Sequence, residues 1–489
     1  MNLCRTIGKL DRLEGGRAAS FEVRKDLSCS TNTNRSKEPA SFRRFTNLGG
    51  TVVRIGRNVF GFAMAVFAVV AASAPAGPGM FRGGPEHTGV YASANPTLGS
   101  VAWRFRTGGE IVSSPLLVGT TVYVGSRDRF LYALDATTGA LRWKFETGGA
   151  VSSSPAYRDG VVYVGSVDGM MYAINASTGK PAWLFKTTGE SRFTARGIHG
   201  ASPAKELMPD PFDVFLSSPT IVGDALFFGS GDHNVYALDA TTGELRWKFI
   251  TGNVVHASPA VAGGVVYVGS WDRNMYALDA ASGKERWRFQ TGNDTTIYNQ
   301  IGIASSAAVS AGVVYFGCRD GHFYAVDAST GRLRWSVDNH SGWVIASPAV
   351  KDGTVYFPTS DGQRFKALDA ATGAVRFDVE TKAISFSSPA IVNQTLYFGT
   401  SDGWLHAMDA ATGATTAEFQ SDGSKENAAK YIDKAGHIRS DALYPDFTHD
   451  GMVVGLHRMF TLGSMLSSPV VANGILYIGS TDGNVYALK

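Results

Sequence analysis

The chain has 489 residues, of which 44% are hydrophobic and 18% charged, and its formal net charge is +3. The first 58 residues carry 12 Lys/Arg against 5 Asp/Glu, a contribution of +7, so the rest sums to about −4. A mildly acidic body argues against nonspecific capture of nucleic acid, and three cysteines exclude a disulfide-built scaffold.

Residues 1–76 read as a basic leader followed by a signal peptide. The apolar stretch from Val59 to Ala72 is flanked by Arg54 and Arg57 and followed by Ser73-Ala74-Pro75-Ala76, small residues of the kind found at cleavage sites. At 14 residues it is short for a membrane span. The expected location is therefore periplasmic or secreted, with membrane contact only if this segment is retained as an anchor. Cys4 and Cys29 fall in the leader, so a cleaved chain keeps only Cys318. Residues 77–100 form an N-terminal arm.

From residue 101 onward one phrase recurs. Ser153-Ser154-Pro155 precedes a first short strand (A), Val162-Tyr163-Val164-Gly165-Ser166 gives a second (B), Tyr172-Ala173-Ile174-Asn175 a third (C), and Trp183-Leu184-Phe185 a fourth (D). Turn aspartates mark the period: Asp128, Asp168, Asp232, Asp272, Asp320, Asp361, Asp402 and Asp482. A base step of 40 residues with four β-rich runs per unit predicts an all-β, eight-bladed propeller of four-stranded blades. Helix is expected only in insertions, because no repeat shows a sustained 3.6-residue period. Trp103, Trp143, Trp183, Trp247, Trp287 and Trp335 are the expected wedges between blades, each worth about 4–6 kcal/mol of burial. Phe377 and Phe419 mark the D strand of two weaker units. Residues 101–107 are a D strand without its blade, and the chain ends on a C strand lacking its D. Pairing the two would close the ring. Asp361 and Asp369 are eight residues apart where most units have seven, which predicts a β-bulge near Phe365 or Lys366.

Three D–A connections are lengthened, at residues 189–215, 293–302 and 421–463. In a propeller these connections and the B–C turns share one face, so one channel mouth is elaborated and the other left plain. The residues expected on that face are Arg192, His199, Asp210, Trp271, Tyr298, Asn299, His340, Trp343, Lys382, His449, His457 and Arg458. Asp294 and Asp450 are the carboxylates available there as a catalytic base. No cysteine cluster of zinc type exists, and the residues alone identify no metal site.

The run Ala133-x-Asp135-x-x-Thr138-Gly139-x-x-x-Trp143 resembles the tryptophan-docking motif of the pyrroloquinoline quinone (PQQ) repeat family, and it recurs at Ala237–Trp247, Ala277–Trp287 and Ala325–Trp335. Met80 to Val90 resembles the segment that often opens mature exported members. The resemblance covers residues 101–489 and implies an eight-bladed propeller. It implies two kinds of function. One is a PQQ-dependent quinoprotein oxidoreductase acting on alcohols or sugars, with PQQ and calcium at the mouth. The other is a binding propeller like the outer-membrane β-barrel assembly lipoprotein, which has no cofactor. The adjacent Cys-Cys pair of many quinoprotein alcohol dehydrogenases is absent, and so is a cytochrome segment. No Cys follows the signal run to carry a lipid. The favoured expectation is a monomeric exported propeller that binds a small molecule or an envelope protein on its elaborated mouth.

Overall fold

A computed structural model describes residues 79–292, 301–340 and 342–489, all within one unit, Ala72–Lys489. Eight four-stranded antiparallel sheets, each ordered A–B–C–D, form the blades of a propeller. In the first blade the strands are Leu116–Val118, Thr121–Gly125, Phe130–Asp135 and Leu141–Glu146. Strand B is buried along its whole length because neighbouring blades cover both of its faces. Strand D, at the rim, alternates between exposed and half-buried residues.

The ring closes as expected. Val101–Arg106 pairs antiparallel with the last strand, placing Trp103 opposite Ala487 and Arg106 opposite Asn484. This strand completes the eighth blade, whose other members are Val470–Ala472, Ile475–Gly479 and Asn484–Leu488. An edge that would otherwise offer unpaired N–H and C=O groups is thereby sealed.

The docking motif ties each blade to the next. Trp103 donates its indole N–H to Ala136 O at 2.8 Å, Trp143 to Ala176 O at 2.8 Å, and Trp247 to Ala280 O at 3.0 Å. Each indole lies over the glycine of the following blade's Thr-Gly or Ser-Gly turn. Gly139 has φ +74°, and a Cβ there would come within 2.7 Å of Trp103, so the turn excludes a side chain both by its φ and by the ring above it. Phe377 sits over Gly413 in the same way. In the seventh blade the equivalent position is Ala417, opposite Ala407, while Phe419 lies two residues further along. Phe419 therefore marks that D strand without being its wedge.

The Ser-Ser-Pro phrase has two separate jobs. The first serine joins strand to strand within a blade, as when Gly125 N donates to Ser113 Oγ at 3.1 Å. The second joins blade to blade around the axis. Ser114 N donates to Ser154 Oγ (2.9 Å), Ser154 N to Ser218 Oγ (2.8 Å) and Ser218 N to Ser258 Oγ (2.9 Å), and Ser468 N donates to Ser114 Oγ (3.0 Å), so that every step around the ring but the one from Ser306 to Ser347 carries such a bond.

The bulge expected near Phe365 or Lys366 does not form. Strands B and C of the sixth blade pair in unbroken register from Pro358↔Phe365 to Thr354↔Asp369. The extra residue is absorbed by the B–C turn, where Thr359 N reaches Arg364 O, whereas in the first blade Ser126 N reaches Phe130 O. A longer surface turn leaves the buried ladder intact, and a bulge would interrupt it.

The arm after residue 79 runs along the free inner edges of the A strands. Backbone N–H groups of Tyr157, Val261, Val309, Val350 and Ile391 donate to the carbonyls of Gly79, Pro85, Glu86, Thr88 and Gly89. Arg82 is buried at 1% exposure and donates to Pro389 O (2.6 Å) and Pro348 O (2.8 Å). Gly89 has φ +70°, and a Cβ there would collide with the Arg82 guanidinium. The short phrase Pro85-Glu86-His87-Thr88-Gly89 thus reaches five successive blades, with His87 Nε2 placed 3.1 Å from Thr220 Oγ1.

Candidate functional site

Two of the three insertions fold against each other over the channel mouth. The first contains a hairpin, Thr194–Arg196 paired with Leu207–Pro209. The third contains α1 (Asp422–Tyr431), α2 (Ser440–Leu443) and α3 (His449–Thr461). Ser421 caps α1 by accepting from Ser424 N, and Thr448 caps α3 by accepting from Gly451 N at 3.0 Å. Met452, Leu456, Met459 and Phe460 line one side of α3 at helical spacing and are all buried. Ser202 N donates to Phe447 O (2.9 Å), and His449 Nε2 lies 2.8 Å from Pro209 O. Met452 packs with Phe193, Ile198 and Trp271. The two insertions therefore make one cap. Residues 293–300 of the second insertion, with the expected site residues Asp294, Tyr298 and Asn299, lie outside the described residues.

Beneath the cap is a buried charged cluster. Arg319, in the B–C turn of the fifth blade, is 1% exposed. Its guanidinium lies between two indoles, 4.6 Å from Trp271 and 4.2 Å from Trp343. Its Nη1 donates to Asp210 Oδ2 at 2.5 Å. Asp210 also meets His199 Nε2 (2.8 Å) and accepts from Phe212 N (2.8 Å). Burial opposes its charge, but Arg319 and His199 outweigh burial and hold the carboxyl well below the usual carboxylate range.

A second charged group stands beside it. His256 is bracketed by Asp213 Oδ1 (2.7 Å, Nδ1) and Glu190 Oε1 (2.8 Å, Nε2). Burial lowers its basicity, but the two carboxylates more than compensate and push it up to about 10. Both carboxylates come from the first insertion and the histidine from the D–A connection after the third blade, so the triad pins the cap to the propeller.

Of the residues expected on this face, His199, Asp210, Trp271 and Trp343 converge at the cluster. The other described ones do not join it. Arg192, His457 and Asp450 are exposed, and His340 projects into solvent. Lys382 lies beside Gly436 of the third insertion. His449 joins the two insertions, and Arg458 donates to the carbonyls of Ala442 and Leu443, closing the end of α2. Arg319 did not stand out in the sequence, and neither did Glu190, Asp213 or the specific partners of His256. The available signal for Arg319 was register: the residue just before each turn aspartate points to the mouth, and Arg319 occupies the place that Trp271 holds one blade earlier. The turn aspartates that precede a tyrosine by four residues are structural. Asp128 Oδ2, for example, accepts from Tyr132 OH (2.6 Å) and Gly108 N (2.7 Å).

The described residues do not fit PQQ with calcium. A flat quinone needs an open aromatic face, but Trp271 is covered by Phe193 (ring centroids 4.5 Å apart) and by Arg319. Trp343 is covered by Arg319 and flanked by His199 at 5.2 Å. Among the described residues no three His, Cys, Asp or Glu side chains come together to hold a metal ion. The cavity on the axis below the cap is about 60 Å³, room for about four to six waters at ~10–15 Å³ each. Cys318 is fully buried, and burial raises its thiol far above the ordinary value, so it is inert.

Comparison with solved structures agrees on the fold. BamB from Moraxella catarrhalis superposes with a TM-score of 0.57 at 17% identity, covering 80% of this chain and 97% of that one. A europium-containing methanol dehydrogenase gives 0.60 at 16% identity, covering 83% and 91%. Quinohemoprotein alcohol dehydrogenase from Comamonas testosteroni gives 0.60 at 15%, covering 82% and 78%. No curated protein matches the sequence. Residues 87–208, 208–335 and 298–440 match the family described as outer membrane protein assembly factor BamB, and the chain belongs to that family.

Proposed function

We propose that this chain is a non-catalytic, exported binding propeller that holds an envelope protein on its capped face. The cap carries this reading: the insertions fill the mouth with their own side chains and convert it into a packed outer surface. On that surface Leu207 is 64% and Phe447 72% exposed, in segments joined by the Ser202–Phe447 bond. Large apolar side chains held this way are suited to act as anchors for a partner. Family membership supports a protein partner, and the basic leader with its apolar run supports export. Among the described residues no helix is long and apolar enough to cross a membrane.

Site-specific photocrosslinking in cells tests the reading. A crosslinker at Phe447 is expected to capture a discrete envelope protein, and Leu207→Glu should reduce the yield by tenfold or more. Crosslinks only from the A–B turn face would overturn it. Addition of PQQ and Ca²⁺ to the purified protein is expected to give no quinone-dependent dye reduction with alcohols or sugars, and turnover would replace the binding reading with the oxidoreductase one.

A further inference from the structure

The guanidinium of Arg319 is only partly used. Nη1 is bonded to Asp210, but Nε and Nη2 have no hydrogen-bond partner. Those two nitrogens share one edge of the planar group, the edge that receives a carboxylate through two parallel hydrogen bonds. The indoles of Trp271 and Trp343, 4.6 and 4.2 Å from its Cζ, restrict the movement of the fork. The indole N–H groups of Trp271 and Trp343 are also buried without an acceptor. Four donors gathered in one place with nothing to accept from them is a costly arrangement for a protein interior.

The carboxylates of the first insertion beside it are committed elsewhere. Asp210 already serves Arg319 Nη1, His199 and Phe212 N. Asp213 takes His256 and Phe193 N, and Glu190 takes His256, Ser230 and Gly231 N. Arg319 also lines the axial cavity of about 60 Å³. The serine hydroxyls of the ring face that cavity, and Phe212, Phe215, Ile345 and Leu466 supply apolar wall. A cationic fork beside an apolar wall in a space of a few waters suits a short aliphatic acid.

We propose that the axial cavity binds a small monocarboxylate, its carboxylate held side-on by Nε and Nη2 of Arg319 and its aliphatic end against the phenylalanine wall. This site is independent of the partner surface on the outside of the cap, so either can fail alone.

Titration calorimetry on the purified full-length chain tests it, with acetate, propionate and butyrate compared against chloride and inorganic phosphate at equal ionic strength. One saturable site per chain is expected for at least one carboxylate and none for phosphate. Arg319→Lys keeps a charge but has no fork, and should weaken binding at least tenfold. If that variant does not fold, Phe215→Trp narrows the cavity while leaving the Arg319–Asp210 pair in place, and should abolish binding at an unchanged melting temperature. Asp361 is a rim carboxylate whose carboxyl is pushed up by burial, with His199 and Arg319 opposing the shift, and Asp361→Asn should bind at least as well as the parent. No saturable carboxylate binding, undiminished binding by Arg319→Lys, or a preference for phosphate would each overturn the proposal. So would binding seen only in Asp361→Asn, which would place Asp361 itself in the fork.

Discussion

His256 shows how far a buried site departs from what a single letter suggests. Alone in a strand-rich sequence it reads as a solvated loop residue. Between Asp213 and Glu190 it is a buried cation, with basicity raised to about 10 from an ordinary value near 6.5. A group whose folded value is raised stabilises the fold fully below its unfolded value and loses that contribution as pH climbs through the folded one. The stabilisation is therefore complete below about pH 6.5 and is lost towards pH 10. A melting curve followed from pH 6 to pH 10 should fall across this window, and His256→Gln should be less stable at pH 6 and lack most of the slope. Hydrogen exchange in the Thr194–Arg196 hairpin should rise in parallel, because the triad is one of the contacts that fasten the first insertion down.

At the level of the element, each blade is a weak object made firm by its neighbour. Strands B and C are sandwiched, strand D is half exposed, and the indole of one blade closes over the Thr-Gly or Ser-Gly turn of the next. Trp247 is 8% exposed and bonds Ala280 O. Trp247→Ala should cost about 3–5 kcal/mol, through the cavity left and the carbonyl stranded, measured by denaturant unfolding. Phe377 provides the same packing without the N–H, and Ala417 provides neither; at the junction after the seventh blade Leu98 of the arm packs with Tyr397, Phe419 and Leu476 instead, and Tyr397 OH donates to Pro96 O at 2.9 Å. That junction is also where the chain inserts its three helices. Their packing against Val112, Phe386 and Leu466 adds apolar contact beside the junction.

Across the whole molecule, two devices act on the axis. The serine circuit links blade to blade around the ring, and the arm satisfies inner-edge N–H groups that would face the channel unpaired. Five backbone bonds and the buried Arg82 depend on residues 79–89. Arg82→Ala should cost about 1.5–3 kcal/mol, the usual range for a hydrogen bond from a charged group, and should raise proteolysis of the arm. Deleting the arm should lower the melting temperature further and raise aggregation, because the exposed inner edges can then pair with other chains. An unchanged melting temperature in Arg82→Ala would show that the arm does not hold the ring.

The blade count, the strand order, the wedge tryptophans and the closure by residues 101–107 were all legible in the sequence, because they rest on local turn chemistry repeated many times and on one residue of register. The shared face of the first and third long connections was legible too, since propeller topology assigns every D–A connection to the same end. The site was not. Trp271 and Trp343 stand out by residue type, but Arg319 joins them only when turns from different blades meet at the axis, and Asp210 reaches it from more than a hundred residues away. The arm was visible as a segment, while its role as a thread through five blades needed the ring to exist first. Charge pairing, burial and the covering of the aromatic faces all depend on distances between parts remote in the chain, and a repeat pattern carries no information about those. The period of the sequence set the scaffold, and the folded ring alone decided which side chains share its centre.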